Sequence, residues 1–503
     1  MALTIAGRIR RYDVAEDTPL PARPRVPGVD RLRAGPTVLV HEELLDTPDG
    51  TLAGEDGVLA THGAALRRTF DGATTLAVEV PHRGGHLVLV DPDQDGEVTD
   101  EVTDALQALL RGREVDVVAA RAVRRSPVDV LDPGGRVLAT FDDDVVGSAT
   151  QGTTTTSSRE WSVTSDDAEL LEALDDEIQA AGGRPVRHGA AAGGRTGDLA
   201  ATLSTALSAQ VSILVGWDPF VRCDVPDSVH RMRVAARTLR SIVQVYAPLL
   251  EPGAAKEVSA ILKGLGRALA SARDAEVLRE SLDARLADLP GGAEGAVADL
   301  VPRKARRRLR RTRAANYDKA HRALLSAMAG PAHWADLERI ERFAREVPAR
   351  RDASPDDAAQ GAVTSTLAGL GRAQVDVITD LVEQADAETD DDRRLELLHD
   401  VRKEAKRLRY AVVAVQDENG TELDPELSDL VAEAHAVQKR LGTHRDSVML
   451  QEHLLDCARR ARKKGEDTFA YGLLLTGEIE HGERALRRAR KRLARLTAGS
   501  PTV

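Results

Sequence analysis

Two short stretches of this 503-residue chain place basic side chains where they could act together on an anion. In VHRMRVAARTLR, residues 229–240, the basic residues His230, Arg233, Arg237 and Arg240 sit at 0, +3, +7 and +10. At about 100° per residue these positions share an arc of about 80° on a helix. Val229, Ala236, Leu239 and Val243 fall on the other side, where they can pack. LHDVRKEAKRLR, residues 398–409, repeats the stripe with His399, Arg402, Lys406 and Arg409, widened by Lys403 and Arg407. Arginine suits an oxyanion because its planar fork donates two parallel, charge-assisted hydrogen bonds. No acid lies between Ser228 and Leu250, so the first stripe lacks the i,i+4 carboxylates that often accompany a basic surface helix.

A second pair of segments follows the same logic. ALASARDAEVLRESL (268–282) matches RLGTHRDSVMLQEHL (440–454), with Arg273-Asp274 over Arg445-Asp446 and Leu269, Leu278 and Leu282 over Leu441, Leu450 and Leu454. The offset is 169 residues for the first pair and 172 for the second. Two related helical hairpins facing each other about a pseudo-two-fold axis would follow. Asp274 and Asp446 read as groups that orient neighbouring arginines, not as acid–base catalysts. His230 and His399, among arginines, favour the neutral form until an anion arrives. One basic helix face is usually only a solvated face; two at repeated positions argue for a shared task. Residues 303–322 carry ten Lys and Arg against Asp318 alone, and 484–495 carry seven with no acid. These two segments read equally well as solvated faces. Together, four positive segments in a chain of net charge −12 point to a polyanion partner.

The elements that must hold these residues divide the chain. From residue 198 onward apolar positions recur at three- and four-residue spacing through 199–215, 229–250, 255–282, 303–328, 334–347, 362–382, 392–415, 427–457 and 469–496, with Pro or Gly at the breaks. This predicts an all-helical domain over 198–498, followed by a short tail, 499–503. Residues 1–182 read as α+β: short apolar runs at 37–40, 75–80, 86–90, 115–123, 128–131 and 136–141 are separated by Pro, Gly and Asp turns. A polar loop is expected at 153–158, a strand at 159–164, and helices at 97–110 and 166–181. The Gly/Ala-rich stretch 183–197 reads as a linker.

Charge follows the same boundary. Residues 1–200 hold 20 Arg, no Lys and 35 acids, leaving 49 basic and 46 acidic residues for 201–503. Cys223 and Cys457 are too few for a disulfide framework or a four-thiolate metal site, and suit a reducing cytoplasm. The N-terminal residues lack the apolar core of an export signal, and no run reaches about 18 uninterrupted apolar residues. The expectation is a protein that neither spans nor contacts a membrane. Nucleic-acid binding usually adds base stacking or groove reading to phosphate contacts. The aromatics are only 13, scattered, and no helix-turn-helix, zinc-finger or RNP pattern occurs. A base-free phosphate chain fits this inventory better. DPDQDGEV (91–98) has Asp91, Asp93, Asp95 and Gly96 at calcium-loop positions, but Val102 stands where a bidentate Glu is needed. It reads as a solvated acidic turn.

HxxRVxxRxLR (230–240), LKxLGRxLxxARDxxVL (262–278), HxxRxxxKRLRY (399–410) and LGxHxD (441–446) resemble the hallmarks of the CHAD domain, the conserved-histidine α-helical domain, over roughly 198–498. The resemblance implies a helical bundle with internal pseudo-symmetry that binds inorganic polyphosphate and associates with polyphosphate granules in the cytoplasm. It implies binding roles for His230, Arg233, Arg237, Arg240, Lys263, Arg273, His399, Arg402, Lys406, Arg407, Arg409 and His444, to which the widened stripe adds Lys403 and the second Arg-Asp pair adds Arg445. Thr238 stands where members often carry another basic residue.

The N-terminal part resembles the CYTH, or triphosphate-tunnel, fold, an antiparallel β-barrel. YDV…LPARPRVPGV (12–29), LLDTPDGTLAGEDGVL (44–59), ALRRTFDG (65–72), GRVLATFDDDVV (135–146) and SREWSV (158–163) align in order with it. Active members hold a divalent metal with an ExExK strand and triphosphate with basic groups. Here that strand reads Gly7-Arg8-Ile9-Arg10-Arg11, a phosphate-binding lysine is replaced by Glu79, and late acids by Ser162 and Thr164. Arg67, Arg68, Arg121, Arg124, Arg125, Asp143 and Glu160 survive. The resemblance therefore implies a degenerate tunnel with no catalytic residues, no metal and no cofactor. The expected function is polyphosphate binding without catalysis, with polyphosphate-metabolising enzymes as further partners. The alternatives are a metal-dependent inorganic triphosphatase and a nucleic-acid or ribosome-associated adaptor.

Overall fold

A computed structural model describes residues 3–20, 25–48, 57–82, 85–91, 96–149, 155–186, 199–287, 301–348, 360–419 and 425–498. The strands are β1 (Thr4–Val14), β2 (Arg31–Ala34), β3 (Val38–Asp46), β4 (Ala65–Phe70), β5 (Thr74–His82), β6 (Gly85–Val90), β7 (Asp116–Leu131), β8 (Val137–Ala149), β9 (Thr155–Ser165) and β10 (Arg184–Pro185). The helices in this part are α1 (Val58–Thr61), α2 (Asp100–Leu110) and α3 (Ala168–Ala180). Then follow α4 (Leu199–Gly216), α5 (Asp218–Arg222), α6 (Ser228–Val245), α7 (Pro252–Ala287), α8 (Arg303–Ala327), α9 (Pro331–Glu346), α10 (Gln360–Ala387), α11 (Asp391–Asn419), α12 (Pro425–Arg462) and α13 (Phe469–Ala498). The chain forms two compact units: residues 1–191 with 212–228, and residues 192–211 with 229–503.

In the first unit all strand pairs are antiparallel, in the order β1-β6-β5-β4-β3-β7-β8-β9, and β9 pairs back to β1 to close an eight-stranded barrel. Closure removes the open edges that invite strand addition. Alternation along each strand decides what faces where. Tyr12, Phe141, Trp161 and Val163 point outward and pack on Leu170, Leu171, Leu174 and Ile178 of α3. Asp167 caps α3, its carboxylate accepting from the Glu169 and Leu170 N–H groups. The next residue along each strand, Arg11, Asp142 or Ser162, faces the lumen.

Several elements differ from the sequence expectation. Runs 115–123 and 128–131 are one strand, β7, that passes through Pro127. The proline is tolerated because it falls where β3, last paired at Arg125, gives way to β2, first paired at Val128. Thr155–Ser158, expected as loop, extends β9 and pairs with residues 146–149. Arg184 and Pro185 pair with Tyr12 and Asp13, so the sheet runs into the stretch read as linker. The acidic turn at 92–95, most of that linker, 187–197, and the tail 499–503 lie outside the described residues.

The second unit is helical, and two apolar cores stand out among its described residues. One joins α10, α11, α12 and α13 through Val375, Ile378, Val401, Leu408, Val437, Leu441 and Ala489. The other joins α7, α8, α12 and α13 through Leu282, Leu309, Leu450, Leu454, Cys457 and Tyr471. One described stretch, Leu199–Arg222, has mean hydropathy 1.5 and is long and apolar enough, by length and composition, to cross a bilayer. Counting uninterrupted apolar residues overlooks it because Thr205, Ser208, Gln210 and Ser212 break the run. A core helix passes the same test; here 33% of the apolar window is buried, including Leu207, Leu214 and Val215.

Candidate anion-binding site

The repeat places its charged residues together. Arg233 on α6 lies 3.6 Å from Asp274 on α7. At the equivalent positions on α11 and α12, Arg402 lies in the field of Asp446. The charges of Arg237, Arg402, Arg233 and Arg445 all act on Lys406. Asp274 thus lies within ion-pair reach of Arg233, and Asp446 acts on Arg402 through its charge.

The energetics of this cluster are unfavourable to its own charges. Burial, reinforced by Arg237, Arg402, Arg233 and Arg445, pushes Lys406 down to about 5. Burial and like-charged neighbours bring Arg233 and Arg402 down to about 10, against the partial relief of Asp274 and Asp446. His399 is lowered by burial and by Lys403, Arg445 and Arg402, which keeps its neutral form favoured. The Nε atoms of Arg240 and Arg402 are buried without a hydrogen-bond partner among the described residues. Among those residues neither Lys406 nor Arg445 has a carboxylate within ion-pair distance. A bound polyanion would relieve each of these penalties at once.

Not every sequence candidate joins the cluster. Arg273 is clamped by its own helix, with Nη1 donating at 3.0 Å to both Glu276 and Glu280. Arg407 donates to Gln244 at 3.0 Å and pairs with Glu404. Exposed Lys403 pairs with Asp400 at 2.8 Å. His444 turns toward α13, its Nδ1 3.2 Å from the Gly482 carbonyl oxygen. Lys263 is exposed on α7, ten residues from Arg273 and thus about 15 Å up the helix. His230 is half-buried on α6. Arg240 feels Arg407 and Arg267, and Arg409 lies 3.4 Å from the Gln438 amide oxygen. Thr238 is buried and donates to the Val234 carbonyl, so a basic residue there would face the core.

Tyr410 was not among the candidates. Its ring lies 5.7 Å from the Arg237 guanidinium and 5.2 Å from that of Arg409, holding both by cation–π contact. Its place directly after the second stripe was the available signal. The basic helices α8 and α13 find carboxylates elsewhere: Arg308 and Lys304 with Glu466, at 2.5 and 3.2 Å, and Arg492 with Glu433 at 2.7 Å.

The barrel lumen contrasts with this. Arg67 reaches Glu42 at 2.8 Å and Glu79 at 3.2 Å, and Arg11 reaches Glu79 at 2.5 Å. Arg121 and Arg125 also reach Glu42, at 2.8 and 2.9 Å, and continue to Glu160 and Asp144. Burial would raise Glu42, but Arg67, Arg121 and Arg125 hold it at about 2. Glu79 is likewise held low by Arg11 and Arg67 against its burial. Burial pushes Asp142 up to about 6 despite Arg125, with Asp144 adding to the shift. An apolar layer of Val40, Val123 and Val146 shares this inward face. Of the surviving tunnel residues, Arg67, Arg121, Arg125 and Glu160 face the lumen. Arg68 pairs with Glu43, Arg124 is exposed, and Asp143 holds Arg159 and the Trp161 indole on the outer side. The lumen carboxylates do not suit a divalent cation, because arginines already occupy Glu42, Glu79, Asp144 and Glu160. Among the described residues no group of three or more acids, histidines or cysteines is placed to hold a metal.

The model of the CHAD domain matches residues 205–455, spanning both stripes and both Arg-Asp pairs. The chain belongs to the CHAD domain family. The curated relatives include the uncharacterized proteins MT2285 and Rv2226 of Mycobacterium tuberculosis, strains CDC 1551 / Oshkosh and ATCC 25618 / H37Rv. Each is 30% identical over 517 residues, covering 94% of this chain and 93% of the relative. Among solved structures, PptA from Streptomyces chartreusis is 21% identical with a TM-score of 0.46, covering 59% of this chain and 99% of that one. The CHAD domain from the plant Ricinus communis is 20% identical with a TM-score of 0.41, covering 62% and 95%. The closed barrel that precedes the CHAD domain fits a CYTH-like tunnel.

Proposed function

We propose that this protein binds inorganic polyphosphate through its CHAD domain, in the cytoplasm at polyphosphate granules, and that it is not an enzyme. The observation that carries the reading is Lys406, on which the charges of Arg237, Arg402, Arg233 and Arg445 all bear and which, among the described residues, has no carboxylate within ion-pair distance. Such an excess of buried positive charge calls for an anion, and a chain of phosphates supplies one at each step. Polyphosphate offers no bases, which matches a site where Tyr410 is engaged by arginines. The barrel contributes no chemistry in this reading, because its lumen cations are satisfied by its own carboxylates.

The test is retention of long-chain polyphosphate by the purified full-length chain across a salt titration. Affinity should fall steeply with salt, as for other polyanions. RNA that displaces polyphosphate at equal phosphate concentration would replace this reading with the adaptor. Phosphate release from tripolyphosphate with Mg²⁺ or Mn²⁺ above a boiled control would overturn the non-enzymatic part.

A further inference from the structure

We propose that the site is lopsided: Arg233, Arg402, Arg445 and Lys406 grip the phosphates, while Glu276 and Glu280 withdraw Arg273, so that a short segment of chain is held chiefly from the second-repeat side, by three cations to the first repeat's Arg233. This rests on the polyphosphate reading above and adds to it a polarity and a length limit.

The argument starts from the repeat. Arg273 and Arg445 occupy equivalent positions, each followed by its aspartate. Arg273 borders the same cluster: the Asp446 carboxyl, raised by burial, is eased by Arg402, Lys406, Arg445 and Arg273. Symmetry would therefore give the phosphate chain two matching arginines. Sequence breaks it at one step. Three residues after Arg273 stands Glu276, 2% exposed; three after Arg445 stands Val448, 37% exposed. Seven residues on, both repeats carry glutamate, Glu280 and Glu452. Arg273 closes on both its acids, with contacts at 3.0, 3.0 and 3.3 Å. Arg445, with valine in the first of those places, makes no ion pair within 4 Å among the described residues and adds its charge to Lys406. Two carboxylates at the Arg273 corner also repel a phosphate chain that would run past it.

The test measures polyphosphate affinity and its salt dependence for the full-length protein with short and long chains. Val448→Glu rebuilds the clamp on Arg445 at the Arg273 spacing, in an already half-exposed position of a long helix. It should weaken binding about tenfold and reduce the log–log salt slope by about one. Glu276→Gln with Glu280→Gln frees Arg273 and should tighten binding of long chains about tenfold, leaving short chains nearly unchanged. Should the buried Glu276→Gln impair folding, the exposed Glu280→Gln alone should show a smaller gain of the same sign. A Val448→Glu protein that binds like wild type with the same slope would overturn the inference. So would the absence of any gain from the freed Arg273. If wild type itself retains no polyphosphate, the function proposed above falls instead, whatever the variants do.

Discussion

The barrel lumen and the CHAD cluster each gather four or five cations, and they treat them in opposite ways. In the lumen Arg11, Arg67, Arg121 and Arg125 meet Glu42, Glu79, Asp142, Asp144 and Glu160. In the cluster Arg233, Arg237, Arg402, Arg445 and Lys406 meet Asp274 and Asp446. The titration behaviour follows. Glu42 is held at about 2, whereas Arg233 and Arg402 are brought down to about 10 and Lys406 to about 5. In the lumen arginines hold Glu42 and Glu79 charged, although burial still works against Asp142 and Arg67; in the cluster the cations themselves are destabilised, a penalty that an anion would relieve. The balance of charge around an arginine, more than the arginine itself, separates a structural network from an anion site.

Reversing charge in the cluster should have the largest effect. Arg233→Glu with Arg402→Glu changes four charge units at equivalent positions and should weaken polyphosphate binding about a thousandfold. Circular dichroism should keep its helical signal, because both side chains lie off the apolar cores. Granule localisation retained by this double variant would break the comparison from the CHAD side.

The lumen offers the converse break. Glu42→Ala strands Arg67, Arg121 and Arg125 in a buried site and should cost about 3–5 kcal/mol of barrel stability, read as a lower Tm. Glu42 titrates at about 2 against an ordinary 4.5, so its stabilisation is complete above 4.5 and is lost as pH falls toward 2. Wild type should thus lose barrel stability progressively in that window, and Glu42→Ala should lose less there. An unchanged Tm in the alanine variant would show that the network is not what holds the lumen.

pH should sharpen the contrast further. Lys406 sits at about 5 without ligand, so a polyanion that raises it must take up a proton. Affinity for long-chain polyphosphate should therefore rise as pH falls from 8 to 6, by up to about tenfold per unit. His399, lowered by burial, and Asp446, raised by burial, act in the same direction at the acidic end. Lys406→Met should flatten the slope above pH 6.5, where His399 contributes little. A wild-type affinity independent of pH over this range would contradict the neutral lysine.

Much of this was legible in the sequence because periodicity and repetition report faces of helices. The stripes at 230–240 and 399–409, and the two Arg-Asp pairs, needed no coordinates to be matched. Partners reaching from other helices, or along the same one, did not show in those stripes. Arg273 and Arg407 have the spacing of ligand-binding residues, yet Glu276 and Glu404 take them at i,i+3 and i,i−3. His444 sits beside Arg445 in sequence but about 100° away on α12, which turns it to α13. In the barrel the lost motif acids were visible, while the new role of Glu79 depended on β5 and β1 flanking β6, which brings Arg11 to Glu79 on the lumen face. The fusion of two expected strands through Pro127 needed the β2–β3 gap, a property of the closed sheet alone.

The smallest expected effect concerns the helix that supports His444. A methyl group on Gly482 of α13 would fall 2.6 Å from Ser447 Oγ and 3.2 Å from its Cβ, with His444 Nδ1 at 3.5 Å. Ser447 is buried and already donates to the Glu478 carbonyl at 2.7 Å, so it has little room to yield. Alanine normally stabilises a helix relative to glycine by about 1 kcal/mol. Gly482→Ala should instead destabilise the CHAD domain by about 1–2 kcal/mol as α12 and α13 are pushed apart. Hydrogen exchange should quicken in those two helices and stay unchanged in the barrel. Combining it with Ser447→Gly should recover part of the loss. A stabilising Gly482→Ala would mean that α12 and α13 do not approach so closely at this point.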